Sequence, residues 1–150
     1  MRKPIFLLLL LLLNFSSIGF GQSRPIGQIA DPVARIEMNL SAFGVEADNF
    51  PSIEVSIDFV SCSSKCTKSY YNPAFKPISY KLTVEEMRRI SQLLNNFDLT
   101  KLKADYTVSK TDQPTSITII YVGVRKFVIK DYGLVAPNPL EELYKITYKL

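Results

Sequence analysis

Histidine and tryptophan are absent from the 150 residues, and cysteine occurs only twice. Without histidine there is no Ser-His-Asp or Cys-His catalysis, no His-ligated zinc and no histidine pH switch. Two thiolates alone do not complete a zinc site, and no other soft ligand is present. No calcium-loop pattern, no catalytic spacing and no internal repeat occurs. Basic runs are also missing. With 18 Lys and Arg against 14 Asp and Glu the formal charge is +4, which argues for no particular polyanionic partner, nucleic acid included.

The longest apolar run lies at the start. Met1-Arg2-Lys3 leads into Ile5-Phe6 and an unbroken Leu7 to Leu13, followed by Ile18-Gly19-Phe20-Gly21-Gln22. A positive start, a short apolar stretch and a small-x-small site predict a signal peptide over residues 1–21, cut after Gly21. The run is shorter than the roughly 20 residues a spanning helix needs. Asn14, Ser16 and Ser17 interrupt it, so no membrane span is expected after cleavage. No cysteine lies near the cut, which argues against a lipoprotein anchor. The expected location is periplasmic or secreted. Cleavage removes Arg2 and Lys3, and the net charge falls from +4 to about +2.

The two cysteines sit in Ser61-Cys62-Ser63-Ser64-Lys65-Cys66. In an oxidising compartment they predict a Cys62–Cys66 disulfide; a redox or metal-binding pair is the alternative. The loop is short, so its closure contributes about 2 kcal/mol before strain.

Residues 22–33 carry two prolines and a glycine and read as a flexible lead-in. Residues 34–150 read as a single domain. Arg35 to Ala42 alternates, with Ile36, Met38, Leu40 and Ala42 on one face, which predicts a half-buried strand. After a loop punctuated by Gly44, Asp48-Asn49 and Pro51, Ile53 to Val60 alternates again. The two strands should pair antiparallel. The Cys62–Cys66 segment is expected to cap the next turn, ahead of a strand around Ser69 to Asn72. Pro73 and Pro77 bracket a break before a short strand over Ile78 to Leu82.

Thr83-Val84-Glu85-Glu86 predicts a helix start: Thr83 as N-cap, Glu86 closing a capping box, Leu82 and Met87 as hydrophobic staple. Met87, Ile90, Leu94 and Phe97 form its apolar stripe. It should end near Asn95-Asn96, with asparagine tolerating a left-handed cap. Leu99 and Leu102 follow as core anchors. Thr111 to Thr115 is a turn. Ser116 to Val122 is apolar on both faces, as for a central strand covered on both sides, and Lys126 to Tyr132 is its partner beyond Gly123. Asn138 is the expected N-cap of a last helix, with Pro139 at N1, Glu141 at N3, and Leu143, Ile146 and Leu150 facing the core. The predicted fold is α+β: an antiparallel β-sheet with two helices packed on one face, a two-layer sandwich.

The order of these pieces resembles a family of exported bacterial domains of unknown function. That family has a Cys-Phe-Gly-x-Cys-Pro-x-Tyr segment, a helix opened by Ser or Thr with Glu-Glu, and a Thr-Asp-x-Pro-Thr turn. Leu82-Thr83-Val84-Glu85-Glu86, Phe97-Asp98-Leu99, Tyr106, Thr111-Asp112-Gln113-Pro114-Thr115, Asp131-Tyr132-Gly133 and Pro139-Leu140 with Leu143 match it. Ala42-Phe43-Gly44 and Phe50-Pro51-Ser52-Ile53 stand where the cysteine segment would be, without its cysteines. The resemblance implies the fold and export, and no established activity.

Asp105, Tyr106, Asp112, Asp131 and Tyr132 are the candidate binding residues. If their loops converged, Asp112 and Asp131 would suit a hydrolase-like enzyme or a hard-cation site. Read structurally, Asp112 closes an Asx turn, Asp131 ends a strand, and the tyrosines bury their rings. No catalytic residue, metal or cofactor is expected. The favoured reading is a non-enzymatic binding or interaction module of the cell envelope. Its surface would be an aromatic loop set, Phe43, Phe50, Tyr70, Tyr71 and Phe75, and its partner an envelope protein or small ligand. A monomer is expected.

Overall fold

A computed structural model describes residues 31–150 apart from Gly44 and Glu46. The predicted signal segment, and the predicted lead-in as far as residue 30, lie outside the described residues.

Seven strands form one sheet: β1 (Val33–Ser41), β2 (Ser52–Asp58), β3 (Ser63–Ser69), β4 (Ile78–Tyr80), β5 (Asp105–Thr107), β6 (Thr115–Val122) and β7 (Arg125–Tyr132). Two helices, α1 (Val84–Asn95) and α2 (Leu140–Tyr148), complete an α+β fold. The order across the sheet is β4-β3-β2-β1-β6-β7-β5. Every neighbouring pair is antiparallel except β5 and β7, which run parallel. The expectation of a wholly antiparallel sheet is corrected here. β7 inserts between β5 and β6. The connection from β5 to β6 is held against the end of β7 by Val108 N–H on Tyr132 O (3.1 Å) and Gly133 N–H on Pro114 O (2.9 Å).

Alternation decides what each strand buries. Ile36, Met38 and Leu40 of β1, Ile53, Val55 and Ile57 of β2, Cys66 of β3, Ile120 and Val122 of β6 and Ile129 of β7 are buried. Met87, Ile90 and Leu94 of α1 and Leu140, Leu143, Tyr144, Ile146 and Tyr148 of α2 join the same cluster. The alternate residues carry most of the charge: Arg35, Glu37, Glu54, Asp58, Lys65, Lys126 and Lys130. β6 departs from its expected burial on both faces. Ile117 is 43 % exposed and its cross-strand neighbour environment includes Val128 at 45 %. β-branched side chains gain from cross-strand neighbours on a pleated, half-open surface, so an apolar strand can keep one open face.

Two turns explain their glycines. Gly123 (φ 55°) joins β6 to β7, and a Cβ there would sit 2.3 Å from Asp31 Oδ2. Gly133 (φ 93°) ends β7, where a Cβ would meet Val108 Cγ1 at 2.4 Å.

The capping box of α1 is present. Glu86 N–H donates to Thr83 Oγ1 (3.1 Å) and Thr83 N–H to Glu86 Oε2 (2.7 Å). Leu82 and Met87 are both buried. Asn96 closes the helix in right-handed rather than left-handed geometry, because its N–H still reaches the carbonyls of Gln92 and Leu94. α2 starts one residue later than expected. Pro139 is its N-cap and no side chain caps it, so the Asn138 box is not formed. Instead the Pro137 carbonyl receives the N–H groups of Leu140 (3.0 Å) and Glu141 (3.4 Å). Leu150 is 63 % exposed, since Lys149 turns left-handed (φ 50°) and ends the helix before it. Tyr144 and Tyr148 take the core places, stacked at 5.5 Å.

The predicted disulfide is corrected. Cys62 and Cys66 are free thiols, Cys62 exposed and Cys66 buried. β3 begins at Ser63, not near Ser69. Four residues of nearly extended chain hold the two Cα atoms roughly 10–13 Å apart, beyond the ~7 Å limit for a bridge. Cys62 sits in the β2–β3 turn at φ 50°. Cys66 pairs with Val55 and Tyr80 inside the sheet.

Candidate functional site

Of the five polar residues singled out from the sequence, Asp105 and Tyr106 lie on β5, Asp131 and Tyr132 on the neighbouring β7, and Asp112 in the connection from β5 to β6. β5 lies beside β7, in register Asp105 with Lys130, Tyr106 with Asp131 and Thr107 with Tyr132. Asp105 accepts from the Thr107 hydroxyl (2.7 Å) and Tyr106 OH accepts from Lys103 N–H (3.0 Å). Tyr132 OH accepts from Gln113 N–H (3.3 Å). Asp112 is exposed in a left-handed turn (φ 59°). Asp131 is wholly buried, and its two oxygens accept from Val135 N–H and Ala136 N–H, both at 2.9 Å. The two carboxylates face different surroundings: solvent for Asp112, the core for Asp131. Each side chain has a local structural partner or turn role.

Around Asp131 the core is polar. Ser116, Thr118, Thr147, Tyr144 and Tyr148 are buried. Tyr148 OH and Ser116 Oγ share a 2.6 Å hydrogen bond. Tyr144 OH makes no hydrogen bond among the described residues. Burial foremost, and Asp131 close by, push the Tyr144 hydroxyl well above the usual tyrosine range. A second polar group lies where β3 and β4 meet the end of α2. Tyr80 OH donates to Thr147 O (2.5 Å), Lys68 Nζ to Lys149 O (2.8 Å), and Lys149 Nζ lies 2.7 Å from Glu86 Oε1. Burial pushes the Cys66 thiol up to about 11, which leaves it almost wholly protonated near neutrality and a poor nucleophile.

Among the described residues, one surface that offers a binding shape is the aromatic loop set. A recess of about 500 Å³ opens between the β1–β2 loop and the segment after β3. Its lining includes the strand ends Ser41, Ser52 and Ser69. Ala42 N–H donates to Ser52 Oγ (3.1 Å) and Phe43 N–H to Ser41 Oγ (3.2 Å), so the serines stop the strands and turn Phe43 outward. Phe43, Val45 and Ala47 line it from the β1–β2 loop, and Tyr70 and Tyr71 from the segment after β3. Asn72 Nδ2 reaches Asp48 Oδ2 (3.5 Å) across the two segments. Phe43 is 93 % and Tyr71 97 % exposed. The remaining rings are structural in part: Phe50 packs on the core, and Tyr70 lies 5.4 Å from the half-exposed Phe75. Val45 and Asp48 were not legible as lining residues, since loop punctuation does not tell which loop side chains turn inward.

Residues 49–150 match a family described as a domain of unknown function, DUF6438. The chain belongs to the DUF6438 family. The match runs from just before β2 through α2, so it takes in Phe50, Tyr70 and Tyr71 and leaves β1 and Phe43 outside. The unknown-function family expected from the sequence is thereby met at that level. Neither a curated protein nor a solved structure matches the chain. Among the described residues no helix is long and apolar enough to cross a membrane.

Proposed function

We propose that this DUF6438 protein is an exported, non-enzymatic interaction module whose recess takes an apolar or aromatic side chain of an envelope partner. The reading rests on Phe43 and Tyr71, two nearly fully exposed rings that line one recess from two different segments. Exposed apolar groups gathered around a concavity are characteristic of interaction sites. Covering each ring would contribute roughly 2 kcal/mol. The lining serine hydroxyls and the Asp48 carboxylate supply polar partners for orientation. Export is supported by the charge, length and small-residue pattern of residues 1–21. The proposal includes the two-layer sandwich: α1 and α2 cover one face of the sheet, and the loops at its end are free to present the rings.

Photo-crosslinking in the exporting cell tests this. A photoreactive phenylalanine analogue is placed at position 43 or 71, with position 124 as control. Val124 is also fully exposed but lies in the β6–β7 turn. The expected result is one shared adduct from positions 43 and 71 and none from 124. Adducts equal at all three positions, or none at 43 and 71, overturn the proposal.

A further inference from the structure

A second surface lies on the exposed face of the sheet. Its rows follow from the strand registers. Arg35 lies between Asp58 and Tyr121, and Tyr121 pairs with Lys126. Two residues along, Glu37 lies between Ser56 and Ile119, which pairs with Val128. In the next row Asn39 lies between Glu54 and Ile117, which pairs with Lys130. The β1–β6 seam is thus flanked by acids on β2 and bases on β7. Acid and base stand one strand from the seam, in the same rows. A shallow trough of about 460 Å³ runs along this face, with Ile117 and Ile119 in its wall.

We infer that two copies of the chain pair through this face, about a two-fold axis parallel to the strands and centred on the β1–β6 seam. Such an axis exchanges left and right, so β2 of one copy lies over β7 of the other. Glu54 then faces the partner's Lys130 and Asp58 the partner's Lys126. A two-fold interface makes each contact twice. Arg35 comes opposite the partner's Tyr121, the ring type it already covers at 4.2 Å within its own chain. Ile117 then lies over the partner's Asn39, Ile119 over its Glu37 and Val128 over its Ser56, while Glu37 keeps the Tyr121 hydroxyl and Arg35 of its own chain. Two sheet faces pack about 10 Å apart with strands nearly aligned, which suits long acidic and basic side chains reaching across.

The area sets the strength. Four strands, β2, β1, β6 and β7, at about 4.8 Å spacing and about 20 Å length give roughly 400 Å² per copy, or about 800 Å² in all. That is below the ~1,000 Å² of a stable interface, so the dimer is weak, held by the charge pairs, with a dissociation constant of roughly 100 μM.

Sedimentation velocity on the purified chain, from about 1 to 200 μM, is the test. A monomer–dimer equilibrium that weakens with salt is expected. Glu54→Lys and Lys130→Glu each place like charges together twice, and each raises the dissociation constant about tenfold or more. Mixing the two variants restores opposite charges in both contacts and returns the dimer to near wild-type strength. Both side chains are exposed, so at concentrations well below the dissociation constant Glu54→Lys leaves the thermal midpoint unchanged, and Lys130→Glu lowers it slightly through Asp105 opposite. Ile117→Asp also gives monomer. A wild type that is monomeric at 200 μM overturns the inference. So does a dimer indifferent to both charge reversals, or a mixture that fails to re-form it.

Discussion

Cys62 and Cys66 belong to one hairpin yet face apart, the first exposed in the turn and the second buried beside Val55 and Tyr80. In folded protein an aromatic disulfide reagent should therefore count one rapidly reacting thiol, that of Cys62. A second should appear only in denaturant, since burial protects Cys66 and pushes its thiol up to about 11. Counting no thiol in denaturant without reductant would show the bridged form instead. Cys62→Ser should change stability by less than about 0.5 kcal/mol, and Cys66→Ser should cost about 1–3 kcal/mol by burying an unpaired hydroxyl.

The polar core around β6 makes opposite predictions for two stacked tyrosines. Tyr148→Phe removes the partner of Ser116 Oγ and should cost about 1–2 kcal/mol in urea unfolding. Tyr144→Phe removes a hydroxyl that makes no hydrogen bond among the described residues and should be neutral or slightly stabilising. Asp131→Asn turns one acceptor into a donor facing the backbone N–H of Val135 or Ala136 and should cost about 2–3 kcal/mol.

Glu86 ties the start of α1 to the end of α2. The hydrogen bond from Lys149, and then the Thr83 N–H, hold its carboxyl below the ordinary value of 4.5. A carboxyl depressed in the folded state adds stability above its unfolded value and loses it as pH falls through the folded one. Wild-type stability should decline below about pH 4.5, and Glu86→Gln should flatten that decline. The midpoint of chemical unfolding between pH 2.5 and 6 reads both. Thr83→Ala, which removes the other half of the box, should cost about 1 kcal/mol at every pH.

Where local chemistry decides, the sequence was a good guide. Thr83 and Glu86 formed the expected box, and the alternation of Ile36, Met38 and Leu40 assigned their face. Errors came where distant chain decides. Asp105-Tyr106-Thr107 is too short to reveal a strand, and its partner β7 lies some 25 residues on in β6–β7 order. Ile117 looked buried because apolar residues occupy both faces of β6, but nothing among the described residues covers it. Cysteine spacing says nothing of whether the chain between is extended. The aromatic loop was legible as a set, whereas its division was not: Phe50 goes to the core and Phe43 to solvent because strand ends, not ring chemistry, fix their directions.

The two outermost strands are the shortest, three residues each in β4 and β5. Pro77 stands directly before β4 and cannot donate a ladder hydrogen bond. A long bare edge is a template on which another chain can extend a sheet, and short edges remove it. This domain is thus guarded against open-ended stacking into fibres. Whatever it binds must approach through side chains, where charge and shape can discriminate, rather than through backbone, where any strand would do.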